Sequence, residues 1–333
     1  MWLLRVAWLP AAAVALAGPG DAGDAVVLLQ QGQRPQAMRK LINGARRNFG
    51  LGKLRHRPVM WLTLPEAGGS TMCQLARANN ETLMHSTDEQ SCNWLPYDDF
   101  RTMPETRGPD CYNRQQTWLA SSFSWTQIER PFREEDYCPD MFLYGTMLRH
   151  PVELARSLIG SYDWNSTQTG QDPASIMNCL EALKRVPRPA CAATAFSPLP
   201  NATWKHLDNP MVRMLGGPEV WALPPGRVNT THQEKAIQRL RDFDVSLVLE
   251  YFSQNTTKDW LRAAFGWSKL DPVVELHADR GSTGGWVPIK EFDILRIERI
   301  NEHDMALYTT FKGLQDYNQG FMRDTILNHL ADV

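Results

Sequence analysis

The chain has 333 residues, of which 43% are hydrophobic and 22% charged. That is ordinary globular composition, long enough for a sizeable core in one or two domains. A net charge of −2 gives no reason to expect a nucleic-acid partner. Twelve tryptophans are spread along the chain, suited both to core packing and to sugar-facing surfaces.

In chain order, Met1 to Arg5 carries one positive charge, Val6 to Ala17 is apolar, and Ala15-Leu16-Ala17 has the small-x-small pattern of a cleavage site. The apolar run is shorter than the roughly 20 residues that span a bilayer. Residues 1–17 therefore read as a signal peptide, with an uncleaved membrane anchor as the alternative. Residues 18–57 mix Gly, Gln and Arg and read as a stem leading into a domain over 58–333.

Val59 to Leu64 is a short apolar run with the character of a buried strand. Pro65 ends it, because proline cannot donate to a sheet ladder. Glu66-Ala67-Gly68-Gly69-Ser70-Thr71 follows, with a helix expected from Thr71 and Ser70 or Thr71 as its cap. Gly68 and Gly69 permit positive φ and close backbone approach. A helix start presents N–H groups to an anion, so strand, glycine turn and helix suggest a phosphate cradle. It is not a Walker sequence, which has a lysine after the second glycine. Two glycines before a helix also occur in ordinary loops.

Residues 86–115 are polar and read as a surface excursion held by Cys92 and Cys111. Trp118 to Ile128 is apolar again and ends at Glu129-Arg130-Pro131. Met141 to Leu148 is a second strand, with Arg149 and His150 at its carboxyl end, where open α/β sheets bind ligands. Pro151 suits a first helical position. Val152, Ala155, Leu158 and Ile159 mark one apolar helix face, and Ser157 lies about two turns in. Arg149 and Ser157 can converge on one phosphate through charge-assisted bonds and a hydroxyl; in isolation they read as a surface arginine and a helix-face serine. Phe243 to Glu250 reads as a further strand after a helix. Residues 301–332 carry Met305, Leu307, Tyr308, Phe311, Leu314 and Tyr317 at helical spacing, a stripe that belongs to the core.

Five N-x-[ST] acceptors, Asn80, Asn165, Asn201, Asn229 and Asn255, join the N-terminal segment in pointing to the secretory pathway. Six cysteines are consistent with disulfides. Cys179 with Cys191 is the preferred local pair, and the remaining pairing is open. No C-x-x-C is present and the eight histidines are scattered, so no metal site is expected.

Taken together, the two glycine and arginine stretches resemble the cofactor motifs of carbohydrate sulfotransferases of the Golgi type. Those enzymes use 3′-phosphoadenosine 5′-phosphosulfate (PAPS). Pro65-Glu66-Ala67-Gly68-Gly69-Ser70-Thr71 is similar to the family's P-K-x-G-[GS]-[ST]-[ST], which binds the 5′-phosphosulfate. Leu148-Arg149-His150-Pro151, with Ser157, is similar to L-R-[DN]-P-x-x-R-x-x-S, which binds the 3′-phosphate. Asn209 to Leu215 looks like the family's N-x-x-V-R-x-L segment, where Arg213 faces cofactor or acceptor. Arg280 to Gly285 occupies the place of a late nucleotide-covering loop.

The resemblance implies an α/β fold, a P-loop NTPase-like parallel sheet flanked by helices. It implies PAPS as co-substrate, leaving as PAP, and a glycan hydroxyl as acceptor. The cofactor-binding residues carried over are Gly68, Gly69, Ser70, Thr71, Arg149 and Ser157. Glu129 is the expected general base, the alternative being a surface glutamate paired with Arg130 or Arg133. Three positions depart from the pattern. Glu66 replaces the lysine, Leu154 replaces the second motif's arginine with Arg156 nearby, and His150 stands at the Asp/Asn. A carboxylate repels a phosphosulfate, so compensation is expected from Arg77, Lys53, Arg55 or Arg57. Without it, the alternative is an inactive sulfotransferase-like protein that binds a nucleotide or glycan. A secreted lectin-like interaction protein, which needs no Arg149, is a third class.

Overall fold

The structure is a computed structural model that describes residues 57–83, 92–93, 111–113, 116, 122–161, 173–185, 203–270, 290–313 and 315–316. Four strands form one parallel sheet: β1 (Val59–Leu62), β2 (Trp125–Ile128), β3 (Leu143–Leu148) and β4 (Val245–Val248), in the order β2-β1-β3-β4. The longer helices between and after them are α1 (Gly69–Ala78), α2 (Pro151–Ser161), α3 (Pro173–Arg185), α4 (Pro210–Gly216), α5 (Thr230–Asp242), α6 (Asn255–Phe265), α7 (Glu291–Ile300) and α8, over 302–313. This is the expected α/β fold, a parallel sheet flanked by helices. No helix among the described residues is long and apolar enough to cross a membrane.

Strand alternation divides the core into two layers. Met60 and Leu62 of β1 point into one cluster with Ile128, Tyr144, Leu148 and Val248, covered by α2, α3, α4, α5, α7 and α8. Val59 and Trp61 point the other way, with Trp125, Met147, Val245 and Leu247, and are covered by α1 and α6. On that side Trp61 stacks on Trp125 at 5.6 Å, and Phe265 meets Trp125 edge-on at the same distance. Gly145 leaves room for this stack, since a Cβ there would lie 2.3 Å from the Trp61 ring.

Val152, Leu154, Ala155, Leu158 and Ile159 of α2 are all buried in the first of these layers, which includes the apolar face read from the sequence. Leu307 and Tyr308 place α8 in the same layer, while Leu314 and Tyr317 lie outside the described residues. Two disulfides, Cys73–Cys92 and Cys111–Cys138, tether both ends of the excursion. Cys179 is also disulfide-bonded; its expected partner, Cys191, lies outside the described residues.

Candidate functional site

In the strand order β2-β1-β3-β4 the chain leaves β1 toward one side and β3 toward the other. The connections therefore part between β1 and β3, and a crevice opens outside the carboxyl ends of these strands, the usual ligand position in an open α/β sheet. The loop 63–68 and Arg149 stand at that point.

The first wall is the β1–α1 turn. Gly68, at φ 82, is the residue before α1, which starts at Gly69. No side chain caps the helix, so the expected cap by Ser70 or Thr71 is corrected: both lie inside its first turn. The reason is Gly68, whose left-handed backbone reverses the chain before either hydroxyl is reached. Gly69 is buried, whereas Gly68, Ser70 and Thr71 are half-buried. The first-turn N–H groups of a helix have no intrahelical acceptor, which suits them to an anion. Gln127 of β2 fixes the turn from below: its Nε2 donates to the Gly69 carbonyl at 2.7 Å, and its Oε1 accepts from the Cys92 amide. The Cys73–Cys92 disulfide joins the same two segments.

The second wall is the end of β3 and the start of α2. Arg149 Nη1 donates to the Glu66 carbonyl at 2.7 Å, and Ser157 Oγ donates to Glu66 Oε2 at 2.8 Å. Arg149 and Ser157 thus meet on one residue of the facing loop. Leu154 is buried, and Arg156 forms an ion pair with Glu153 at 2.8 Å. The His150 amide donates to Glu250 Oε1 at 2.7 Å, and Tyr308 donates to Glu250 Oε2 at 3.0 Å. The His150 ring packs against Tyr308 at 5.2 Å. Burial, followed by the Glu250 charge, pushes the Tyr308 phenol up, so it stays a donor. Glu250 and Tyr308 carry no sequence signal beyond a strand end and a core stripe.

Glu129 follows β2 and is half-buried at the same edge. Asn93 Nδ2 donates to its Oε2 at 2.5 Å. Arg130 beside it is fully buried and forms a two-pronged pair with Asp136 at 2.6 and 2.8 Å. Glu66, Glu129 and Glu250 put three carboxylates along the edge where Arg149 stands.

Three expectations about cations are corrected. Arg213 faces neither cofactor nor acceptor: it is fully buried, paired with Asp208 at 2.5 Å, and donates to the carbonyls of Val220 and Leu223. Arg77 lies in the last turn of α1, the end away from the glycines. Arg57 precedes β1 at the opposite end of the strand and donates to the Pro139 carbonyl. Lys53, Arg55 and residues 280–285 lie outside the described residues. No group of three or more His, Cys, Asp or Glu among the described residues is arranged to hold a metal ion.

A parallel sheet carries a glycine turn facing an arginine and a serine at its switch point, where open α/β sheets bind ligands. No family model matches the chain. Heparan-sulfate 6-O-sulfotransferase 1 of Homo sapiens is 25% identical over 238 residues, 61% of this chain and 56% of that protein. The Gallus gallus protein of the same name is 24% identical over 232 residues, 60% of this chain and 54% of its own length. Heparan-sulfate 6-O-sulfotransferase 1-B of Danio rerio is 25% identical over 249 residues, 64% and 59% respectively. The chain spans less than two thirds of the length of these relatives. These similarities support a carbohydrate sulfotransferase family for the chain.

Proposed function

We propose that this chain is a glycan sulfotransferase of the secretory pathway that moves a sulfuryl group from PAPS to a sugar hydroxyl. The observation that carries it is the meeting of Arg149 and Ser157 at the β1–β3 switch point, opposite the start of α1. Gly68, Gly69, Ser70 and Thr71 would receive the 5′-phosphosulfate on backbone N–H groups and hydroxyls. Arg149 and Ser157 would receive the 3′-phosphate. PAPS supplies the activated sulfuryl group. Glu129, held by Asn93, would accept the acceptor's hydroxyl proton as the new S–O bond forms and the sulfur's bond to the 5′-phosphate oxygen breaks, releasing PAP.

The fit is incomplete at Glu66, where a carboxylate stands in place of the family's lysine. That residue favours a second reading, a sulfotransferase-like protein that binds nucleotide or glycan without turnover. The names of the relatives make heparan sulfate the first acceptor to test. Asn80, Asn229 and Asn255 are exposed, which supports glycosylation; Asn165 and Asn201 lie outside the described residues. Asn229 also starts α5, where its Oδ1 accepts from the His232 amide. A glycan on Nδ2 leaves that bond in place. Golgi residence or secretion, and any membrane anchoring through residues 1–17, belong to the same proposal.

The test is transfer of labelled sulfate from PAPS to desulfated heparan, with PAP binding measured beside it. Transfer that is lost in Arg149→Ala supports the enzyme. Binding without transfer to any glycan supports the second reading, and a gain of transfer with Glu66→Lys identifies a decayed site. Absence of PAP binding by the folded protein overturns the enzyme and leaves only the glycan-binding form of the second reading.

A further inference from the structure

Glu66 holds a positive φ of 60, a conformation that side chains other than glycine rarely adopt. In that conformation its carbonyl takes the Arg149 guanidinium at 2.7 Å and its carboxylate takes the Ser157 hydroxyl at 2.8 Å. The two donors assigned above to one phosphate are thus both bonded to a single residue of the facing loop. One of the two acceptors is itself an anion. A serine hydroxyl has one proton to donate. A carboxylate oxygen and a phosphate oxygen compete for that proton, and two like charges placed on one small group repel.

We propose that the Glu66 carboxylate is an internal occupant of the 3′-phosphate subsite. On the reading of the site given above, a nucleotide bearing a 3′-phosphate binds by displacing Glu66 from Ser157. A nucleotide without that phosphate leaves Glu66 in place. Affinity for the 3′-phosphorylated ligand is set by this competition, and preference for it over the plain nucleotide is compressed. Glu66 is therefore a specificity-determining residue, in addition to a missing cation. The role has the same sense as that of an acidic residue that accepts a ribose hydroxyl and so disfavours a phosphate at the same carbon.

The experiment is calorimetric titration of the secreted protein with PAP and with AMP, which lacks the 3′-phosphate. Glu66→Ala, Glu66→Gly, Ser157→Ala and Glu66→Ala with Ser157→Ala are titrated beside the parent. Glu66→Gly suits the positive φ, so it keeps the test open where alanine fails to fold, as judged by circular dichroism. The expected result is that removing the carboxylate tightens PAP by about tenfold or more and changes AMP by less than about threefold. The gain is expected to vanish in the double variant. Equal tightening of PAP and AMP overturns the proposal, because general repulsion acts on both ligands. A parent that already prefers PAP strongly, with no change on losing Glu66, also overturns it while leaving the nucleotide site standing. If neither nucleotide binds to the parent or to any folded variant, the sulfotransferase reading itself falls, and this inference with it.

Discussion

Position 69 has no space for a methyl group. A Cβ there would lie 2.2 Å from Thr63 Cγ2, and at Gly68 it would lie 2.9 Å from Met147 Sδ. Gly69 is thus required by packing and Gly68 by its positive φ, whatever ligand the crevice takes. Gly69→Ala is expected to destabilise the fold by roughly 1–3 kcal/mol, the usual cost of an overpacked site. Urea unfolding checks this, and an unchanged midpoint would show that Thr63 moves aside freely. Glu129 makes a different kind of claim, since its side chain is held by Asn93 without being enclosed. Glu129→Gln keeps the shape and removes the proposed base. Turnover is expected to fall by about 10²-fold or more with PAP affinity retained. Steady-state kinetics and calorimetry on the same preparation separate the two effects, and full activity in the variant removes Glu129 from the mechanism.

Among the elements, α4 shows where sequence pattern misleads. Its Asn209-to-Leu215 segment reads as part of a binding site, yet every residue from Pro210 to Gly216 is buried. Arg213 spends its donors on Asp208 and on the carbonyls of Val220, Trp221, Leu223 and Pro224. Arg213→Ala leaves the buried Asp208 with Lys184, at 4.0 Å, as its remaining cation. A loss of about 3–5 kcal/mol is expected, seen as poor expression or early thermal unfolding. Retained stability would mean that Asp208 finds another partner. The strands β1, β3 and β4 are legible in the sequence because a buried parallel strand is a short apolar run bounded by breakers. The start of α2 is legible through Pro151. The Glu66–Ser157 contact spans 91 positions and the Gln127–Gly69 contact 58, so no local spacing encodes either. The disulfide pairing of Cys73 with Cys92 is equally silent, since it follows from how α1 lies on β2.

Among the described residues helices cover both faces of the sheet, and the helical layer over Met60 and Leu62 holds a group that couples stability to pH. His206 is buried and meets Trp221 edge-on at 5.0 Å. Burial, with a smaller contribution from the Lys205 charge, lowers its pKa from 6.5 to about 4. In the unfolded chain the imidazole gains its proton near the ordinary value; in the folded protein it does so only near the lowered one. Between these values the unfolded state binds more protons, so acidification favours unfolding. The stabilising effect is complete above about pH 6.5 and is lost as the pH falls toward about 4. The shift corresponds to roughly 3 kcal/mol at about 1.4 kcal/mol per pH unit. His206→Leu removes the titrating group while keeping an apolar side chain against Trp221. The gap in unfolding free energy between the parent and this variant is expected to change by about that amount from pH 7 to pH 4, in the variant's favour at acid pH. Carboxylates titrate in the same window in both proteins and cancel in the difference. Denaturant unfolding at a series of pH values reads it directly: parallel curves would mean that His206 takes up its proton in the folded protein as easily as in the unfolded chain.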